Sequence, residues 1–461
     1  MESFLNIFII ILSSIVLIGV IVGVHELGHF LAARYFKVKV IRFKIGFGKS
    51  LFSFLDKEGT EFSVGILPLG GYVQMLGERG SEYDPQLEKN HFSKSHSYSE
   101  VSLFARAIIT SAGPLANFLL AIVAFFFIFT IGIKDFAPIV GSVYPDSLAE
   151  ESRLEVGDRI LSIDNTLVSG YRDINILLAS RIGESGTINL KFQEEGKNIK
   201  STSNIIISDW LIAKVDPNPI QSFGISPFIP SLVSSLEEKG PAQKAGVKKG
   251  DTIQAVNNIP ILTWTDLSRE VARHPNKLIS FKVKRENQLL NIPIYVEGFK
   301  NNDGIVIGRI GVRRISEFSG LPDELVVVNR HNPLQSLVKS ILETYKFSIL
   351  ILDSVGKMIS GSMPAENIGG PIQISVLAGS AAKAGFVAFL NMIAIISINL
   401  GLINLFPLPI LDGGQLVLIA LEKIKGSAIS ESFLEYFYRF GLIAIVMLMG
   451  FAIFNDIGRL T

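Results

Sequence analysis

The segment His25-Glu26-Leu27-Gly28-His29 continues, without a break, an apolar run from Phe4 to Val24 that carries no charged residue. A run of that length reads as a membrane-spanning helix, and Phe30, Leu31, Ala32 and Ala33 extend it before the first fixed positive charge, Arg34. On a helix, residues four apart share a face, so His25 and His29 can aim two imidazoles at one cation while Glu26 flanks it. At ~1.5 Å per residue, His25 lies roughly 13 Å short of Arg34, below a membrane surface. The plain alternative is a signal anchor ending in ordinary polar residues. Ionisable groups are costly at such depth and mark functional positions there, which favours the metal reading.

Two histidines four apart with a glutamate after the first form the pattern of zinc peptidases. A tetrahedral catalytic site needs a third protein ligand and an open position. The chain has no cysteine, and its other histidines, His91, His96, His274 and His331, are scattered in polar segments, which points to a carboxylate. Asp412 is the strongest candidate, because it ends the charge-free run from Ala384 to Leu411 inside Asn404-Leu405-Phe406-Pro407-Leu408-Pro409-Ile410-Leu411-Asp412-Gly413-Gly414. The next charge after Asp412 is Glu422, ten positions on, whereas Arg34 is nine beyond His25. If the two segments run in the same direction, the three ligands reach a similar depth.

Composition points the same way. With 48% hydrophobic and 18% charged residues, 461 residues are too apolar for an ordinary soluble chain. The net charge of +1 gives no basis for nucleic-acid binding, and the absence of cysteine fits either redox compartment. Four spans are expected, at about residues 4–31, 105–133, 386–408 and 434–455, the last interrupted near its start by Glu435 and Arg439. Arg34, Lys37, Lys39, Arg42, Lys44 and Lys49 follow the first span before any acid, so segment 34–104 is expected to be cytoplasmic. Both termini and the segment from 134 to about 385 are then extracytoplasmic, and spans one and three run parallel. The leading run lacks a basic n-region and a small-residue cleavage site, which marks it as a retained span.

Three motifs in this order, His-Glu-x-x-His at 25–29, Ser111-Ala112-Gly113-Pro114-Leu115-Ala116-Asn117 and Asn404-x-x-Pro407-x-Pro409-x-Leu411-Asp412-Gly413, resemble those of the site-2 protease family of intramembrane zinc metalloproteases. The resemblance covers essentially the whole chain. It implies a multi-pass α-helical membrane protein with a membrane-associated β element and two extracytoplasmic PDZ (α+β) domains. The expected divisions are helix one with the zinc motif (1–33), a cytoplasmic loop with the β element (34–104), helix two (105–133), PDZ domains at 134–220 and 221–315, and an amphipathic connector (316–385). Helix three with the third ligand (386–412), a cytoplasmic loop (413–433) and helix four with the C-terminus (434–461) complete the plan.

The extracytoplasmic part carries an internal duplication. Pro145-Asp146-Ser147-Leu148-Ala149 and Leu154-Glu155-Val156-Gly157-Asp158-Arg159-Ile160 parallel Gly240-Pro241-Ala242-Gln243-Lys244-Ala245-Gly246-Val247 and Gly250-Asp251-Thr252-Ile253, with the Gly-Asp pairs 93 residues apart. Both halves resemble PDZ domains, which bind extended peptide by adding a strand to a sheet edge. A steric filter, admitting only substrates already trimmed outside the membrane, is the competing role, and the resemblance favours it.

Phe43-Lys44-Ile45-Gly46-Phe47-Gly48 and Phe62 to Met75, including Gly70 and Gly71, read as β structure broken by Pro and Gly. In the family a comparable element dips into the membrane beside the zinc, and a strand edge there can hold a locally unwound substrate. A peripheral hairpin is the alternative. By the same resemblance, Gly70, Gly71, Asn399, Asn404, Pro407 and Pro409 handle substrate near the metal, since prolines free helix carbonyls and amides bind exposed backbone. Asn117 and Gly113 read as helix packing residues. The stretch from Asn332 to Lys357 has Leu334, Leu337, Ile341, Tyr345 and Ile349 at helical spacing, for a membrane surface or a domain contact.

The expected chemistry is peptide hydrolysis with Zn2+ held by His25, His29 and Asp412 and with Glu26 as general base. The resemblance implies single-pass transmembrane substrates already shortened by another protease, such as an anti-sigma factor, and remnant signal peptides, with membrane lipid as surroundings. It places the chain in the bacterial inner membrane with the site near the cytoplasmic side. A non-catalytic PDZ scaffold with an inert motif, and a soluble-type zinc peptidase tethered by its first helix, are the alternatives. Retention of both histidines, the glutamate and the distal aspartate argues against the first, and the apolar setting of Asp412 against the second.

Overall fold

The structure is a computed structural model and describes residues 2–78, 97–197, 199–300, 304–315, 318 and 320–460; His91 and His96 lie outside the described residues. The chain divides into two compact units, one of residues 1–132, 330–355 and 365–461 and one of residues 133–329 and 356–364.

In the first unit, α1 (Glu2–Tyr35) carries the zinc motif in its last third. It stops where Lys37 adopts a left-handed φ of 59° and the Val38 N–H returns to the Ala33 carbonyl at 2.8 Å, a helix-closing arrangement that satisfies the terminal carbonyls. β1 (Val40–Leu55) and β2 (Glu61–Met75) follow as a bent antiparallel pair. Residues 40–45 pair with 71–75 on one side and with 61–64 on the other, and 61–65 pair again with 50–55. Two bent strands therefore make four ribbons, with 71–75 at one edge and 50–55 at the other. Gly46 and Gly48, at φ 86° and 82°, permit the bend. α2 (Leu103–Ile131) starts on a Ser102 cap and runs against α1. The close approach depends on Gly28, where a Cβ would lie 2.3 Å from the Ala112 carbonyl oxygen.

The second unit is built twice on one plan. After β3 (Ile133–Phe136) come β4 (Val140–Val143), α3 (Leu148–Glu151), β5 (Arg159–Ile163), β6 (Thr166–Leu167), α4 (Tyr171–Ala179), β7 (Gly186–Gln193), β8 (Lys200–Ile207), α5 (Pro219–Phe223) and β9 (Ile225–Pro227). The sheet order is β6-β5-β7-β8, with β4 paired to β9. The second half comprises β10 (Ser235–Leu236), α6 (Pro241–Lys244), β11 (Thr252–Val256), β12 (Ile259–Pro260), α7 (Trp264–Ala272), β13 (Lys277–Arg285), β14 (Gln288–Lys300), β15 (Val306–Arg309) and β16 (Val312–Arg313). Its order is β12-β11-β13-β14-β15.

The 93-residue offset persists at backbone level. The β5–β7 ladder slips between Ile160 and Ser162, and the β11–β13 ladder between Ile253 and Ala255. The turns after β5 and β11 use left-handed Asp164-Asn165 and Asn257-Asn258, the residues that tolerate positive φ in tight hairpins. Asp158 accepts the Glu155 N–H at 2.9 Å, as Asp251 accepts the Lys248 N–H at 2.8 Å. Each half has its own core, around Ile160, Ile188 and Leu190 in one and Ile253, Phe281 and Val283 in the other, from alternate positions of the central strands. β17 (Val326–Asn329) closes the unit by pairing with β3.

The chain then forms α8 (Pro333–Ile359), α9 (Pro371–Ala384), α10 (Phe386–Leu405), α11 (Asp412–Lys425) and α12 (Glu431–Leu460). α1, α2, α10 and α12 are each long and apolar enough to cross a membrane. α12 runs unbroken through Glu435 and Arg439, which pair at 2.6 Å and so offset each other's charge. The Asp456 carboxylate of α12 accepts the N–H groups of Gly370, Ile372 and Gln373, capping α9.

Among the described residues, the segment expected as an amphipathic connector, 316–385, holds β17, α8 and α9. The third span ends at Leu405 and does not extend to Asp412, and residues expected as a cytoplasmic loop form α11. Pro407 and Pro409 have no N–H for a helix ladder, so the chain is extended at Phe406 and turns through Ile410, a β-branched residue at φ 79°, before Asp412 opens a new helix.

Candidate metal centre

The four-residue spacing on α1 brings His29 Nε2 to 3.2 Å from His25 Nε2. Asp412, at the first position of α11, places Oδ2 at 3.3 Å from His25 Nε2 and Oδ1 at 3.5 Å from His29 Nε2. These ligand atoms all lie within 4.8 Å of one another. All three side chains are largely enclosed.

The hydrogen bonds around the cluster decide what it can hold. The Ile109 carbonyl can only accept, so at 2.8 Å it fixes the His29 proton on Nδ1 and leaves the Nε2 lone pair facing the cluster. At His25, the Asn117 amide lies 3.2 Å from Nδ1, and Asn117 Oδ1 is buried without a partner. A half-turn of the amide sets Oδ1 at that position, where it accepts from Nδ1–H and loses its unpaired state. Both Nε2 lone pairs then converge with the Asp412 oxygens, of which Oδ2 is buried with no hydrogen bond. With both imidazoles neutral in these tautomers, the three donors bring no proton of their own and repel unless a cation lies between them. Ligands ~2.0–2.1 Å from a tetrahedral zinc stand roughly 3.3 Å apart, close to the 3.2 Å between the imidazoles and to the 3.3 and 3.5 Å from them to the nearer oxygen of the Asp412 carboxylate in each case. The residues fit zinc.

Glu26 adjoins this cluster, and its carboxylate accepts the N–H of Val73 from the outer ribbon of the β pair. Gly71, two residues earlier, lets that ribbon approach: a Cβ there would lie 3.0 Å from Glu26 Cγ and 2.8 Å from the Lys44 carbonyl oxygen. Gly70, at φ 148°, lies against the Phe47 ring, and side-chain space there is closed.

Among the other expected site residues, Asn404 Nδ2 is 3.4 Å from His25 Nε2, at the edge of the cluster. Asn399 instead donates to the Ile395 carbonyl of its own helix at 3.1 Å. Pro407 and Pro409 shape the α10–α11 connection, and Pro409 packs on Gly441 of α12. Asn117 and Gly113, expected as packing residues, face the histidines: a Cβ at Gly113 would lie 2.2 Å from His29 Nε2. A signal for this was available, because Ile109, Gly113 and Asn117 repeat every four residues, as do the histidines they meet.

Similarity to known proteins gives the family of the chain. The model of peptidase family M50 matches residues 13–448. The Regulator of sigma-E protease RseP of Escherichia coli (strain K12) is 37% identical over 451 residues, covering 97% of this chain and 98% of that protein. The protease RseP of Yersinia pestis is 36% identical over 454 residues, with 97% and 98% covered. A Pasteurella multocida protein that carries a zinc metalloprotease name is 36% identical over 451 residues, again with 97% and 98% covered. The chain belongs to peptidase family M50, the site-2 protease family, and is a protease whose cofactor is zinc.

Proposed function

We propose that this chain hydrolyses peptide bonds inside the transmembrane segments of single-pass membrane proteins whose external domains have already been trimmed, with Zn2+ held by His25, His29 and Asp412. The observation that carries the reading is the convergence of the His25 and His29 Nε2 atoms, on a helix apolar enough to span a bilayer, with the Asp412 carboxylate that opens α11. Bound there, zinc supplies Lewis acidity that acidifies a water and polarises a carbonyl. Glu26 takes the proton from the attacking water as its oxygen bonds to the scissile carbon, and returns it to the leaving amine as the C–N bond breaks. Ile109 and Asn117 hold the imidazoles in the ligating tautomer.

Unwinding a substrate helix exposes backbone groups that need partners in an apolar medium. Residues 71–75 form an edge ribbon against Glu26, which supports a role in receiving the unwound strand, with Gly71 allowing its close approach to the base and Gly70 its packing on Phe47. Asn404 is placed to bind substrate backbone at the cluster edge, beside the turn made by Pro407 and Pro409. Asn399 acts from further along α10. The duplicated β-rich halves are read as two PDZ domains on the outer side of a bacterial inner membrane, screening substrates by size, while segment 34–104 lies in the cytoplasm. The name of the Escherichia coli relative, Regulator of sigma-E protease, supports a role in sigma-E regulation, and an anti-sigma factor is the substrate proposed for that role.

The test is cleavage of a truncated single-pass reporter in a bilayer by the wild type, Glu26→Gln and Asp412→Ala, with zinc measured on each purified protein. Both variants are expected to lose cleavage, with zinc lost only from Asp412→Ala. Cleavage by Glu26→Gln would remove the assigned base, and full zinc in Asp412→Ala would move the third ligand elsewhere.

A further inference from the structure

α2 is the reference against which the metal ligands are set. Ile109 and Asn117 hold His29 and His25 from this helix. The third ligand arrives on α11, and α11 is tied to the same helix by an ion pair: Arg106 Nη2 donates to Glu422 Oε2 at 2.5 Å, with the two side chains 19% and 14% exposed. Arg106 is in the first turn of α2, one turn before Ile109. Glu422 is in the last turn of α11, ten residues from Asp412.

Each charge sits at the wrong end of its own helix. The N-terminus of α2 disfavours a cation and the C-terminus of α11 disfavours an anion, because the backbone dipole has the same sign as the side chain at both places. Neither residue is therefore explained by its own helix. Burial adds a cost that only a well-made partner offsets. Arg106 Nε remains without a hydrogen-bond partner, so Glu422 carries the charge compensation that is in view. At its other end α11 is fixed sterically, where a Cβ on Gly413 would lie 2.2 Å from the Phe406 carbonyl oxygen and one on Gly414 2.2 Å from that of Leu408. With one end of α11 packed on the turn that leads into it, the ion pair to α2 restrains the swing of the other end.

We infer that Arg106 and Glu422 are positioning residues for the zinc site: the pair locks α11 to α2 so that the Asp412 carboxylate meets His25 and His29. This rests on the reading of Asp412 as a ligand. Removing the pair frees the far end of α11, and a small rotation there displaces Asp412 from a cluster that tolerates little misplacement.

The experiment is zinc titration of the full-length detergent-solubilised protein against a competing chelator, with helix content and elution profile recorded for each variant. Arg106→Gln and Glu422→Gln are expected to bind zinc at least tenfold more weakly at unchanged helix content. The double variant Arg106→Glu with Glu422→Arg restores the pair and puts each charge at the helix end that favours it, so it is expected to recover affinity to within about threefold. Asp412→Ala in the same titration separates the two readings. If it binds zinc as the wild type does, the ligand assignment falls; if it loses zinc while both single Gln variants keep wild-type affinity, the positioning role falls alone. Failure of the exchanged pair to recover affinity in a folded protein also overturns the proposal.

Discussion

Gly113 of α2 faces the imidazole of His29 so closely that no side chain fits between them: a Cβ would stand 2.2 Å from Nε2, the atom turned toward the metal cluster. The contact is with a histidine held in place by the Ile109 carbonyl, so the ring cannot swing aside without losing that bond. Gly113→Ala is therefore expected to abolish zinc retention and to lower cleavage at least 100-fold while α2 still forms, since alanine favours a helix more than glycine does. Metal analysis beside circular dichroism checks this, and a zinc-replete, active Gly113→Ala protein would contradict it.

Gly71→Ala is expected to behave differently. The added methyl would meet Glu26 Cγ and the Lys44 carbonyl oxygen, displacing the base or the outer ribbon but none of the metal ligands. Zinc content should remain at the wild-type level while kcat falls about 10- to 100-fold, the size of effect that follows a misplacement near 1 Å. Loss of zinc in step with activity would show that the ribbon supports the metal instead.

Asn117 is expected to act through the tautomer of His25. Asn117→Ala removes the acceptor at Nδ1 and should weaken zinc binding by about 10- to 100-fold, the range for such supporting hydrogen bonds. Asn117→Asp keeps an acceptor oxygen in place and should retain most of the affinity. Equal losses in the two variants would reduce Asn117 to a packing residue.

In the second β-rich half, Asp251 is buried, which alone would raise its pKa, but the Arg285 guanidinium and the Lys248 N–H outweigh burial and hold it below the usual 3.8. The carboxylate thus contributes stability that is complete above that ordinary value and is lost as pH falls through the lower, folded one. The chain has two tryptophans, and Trp264 packs on this core, so in a Trp210→Phe background its fluorescence reports the half selectively. Its unfolding midpoint should be steady between about pH 5 and 7 and fall below about pH 4. Arg285→Gln should lower the stability of this half at neutral pH and lessen the further loss in acid. An acid response identical with and without Arg285 would refute the pairing.

The zinc motif and the duplication were legible in the sequence because each leaves a regular trace: ligands four apart on an apolar helix, and Gly-Asp pairs repeated after 93 residues. Asp412 was legible from its place at the end of an apolar run. The helix break before it was harder to read, since hydropathy is blind to the missing N–H groups of Pro407 and Pro409 and carries an apolar span straight through them. Glu422, used in the sequence as a marker of the membrane surface, is instead engaged with Arg106, a partner 316 residues away that no local pattern announces. The bent β pair was recognisable as β structure, but the double pairing of residues 40–45 depends on two glycines whose positive φ is a tertiary outcome.

Because Asp412 opens its own helix and meets histidines 25 and 29 from the far end of the chain, the cutting centre has a built-in order of assembly. A polypeptide still emerging from the ribosome carries both imidazoles early, yet lacks the carboxylate until 383 further positions have been added after His29. On the proposed ligand set, the newborn chain cannot cleave its neighbours or itself before that aspartate has been made and folded into place.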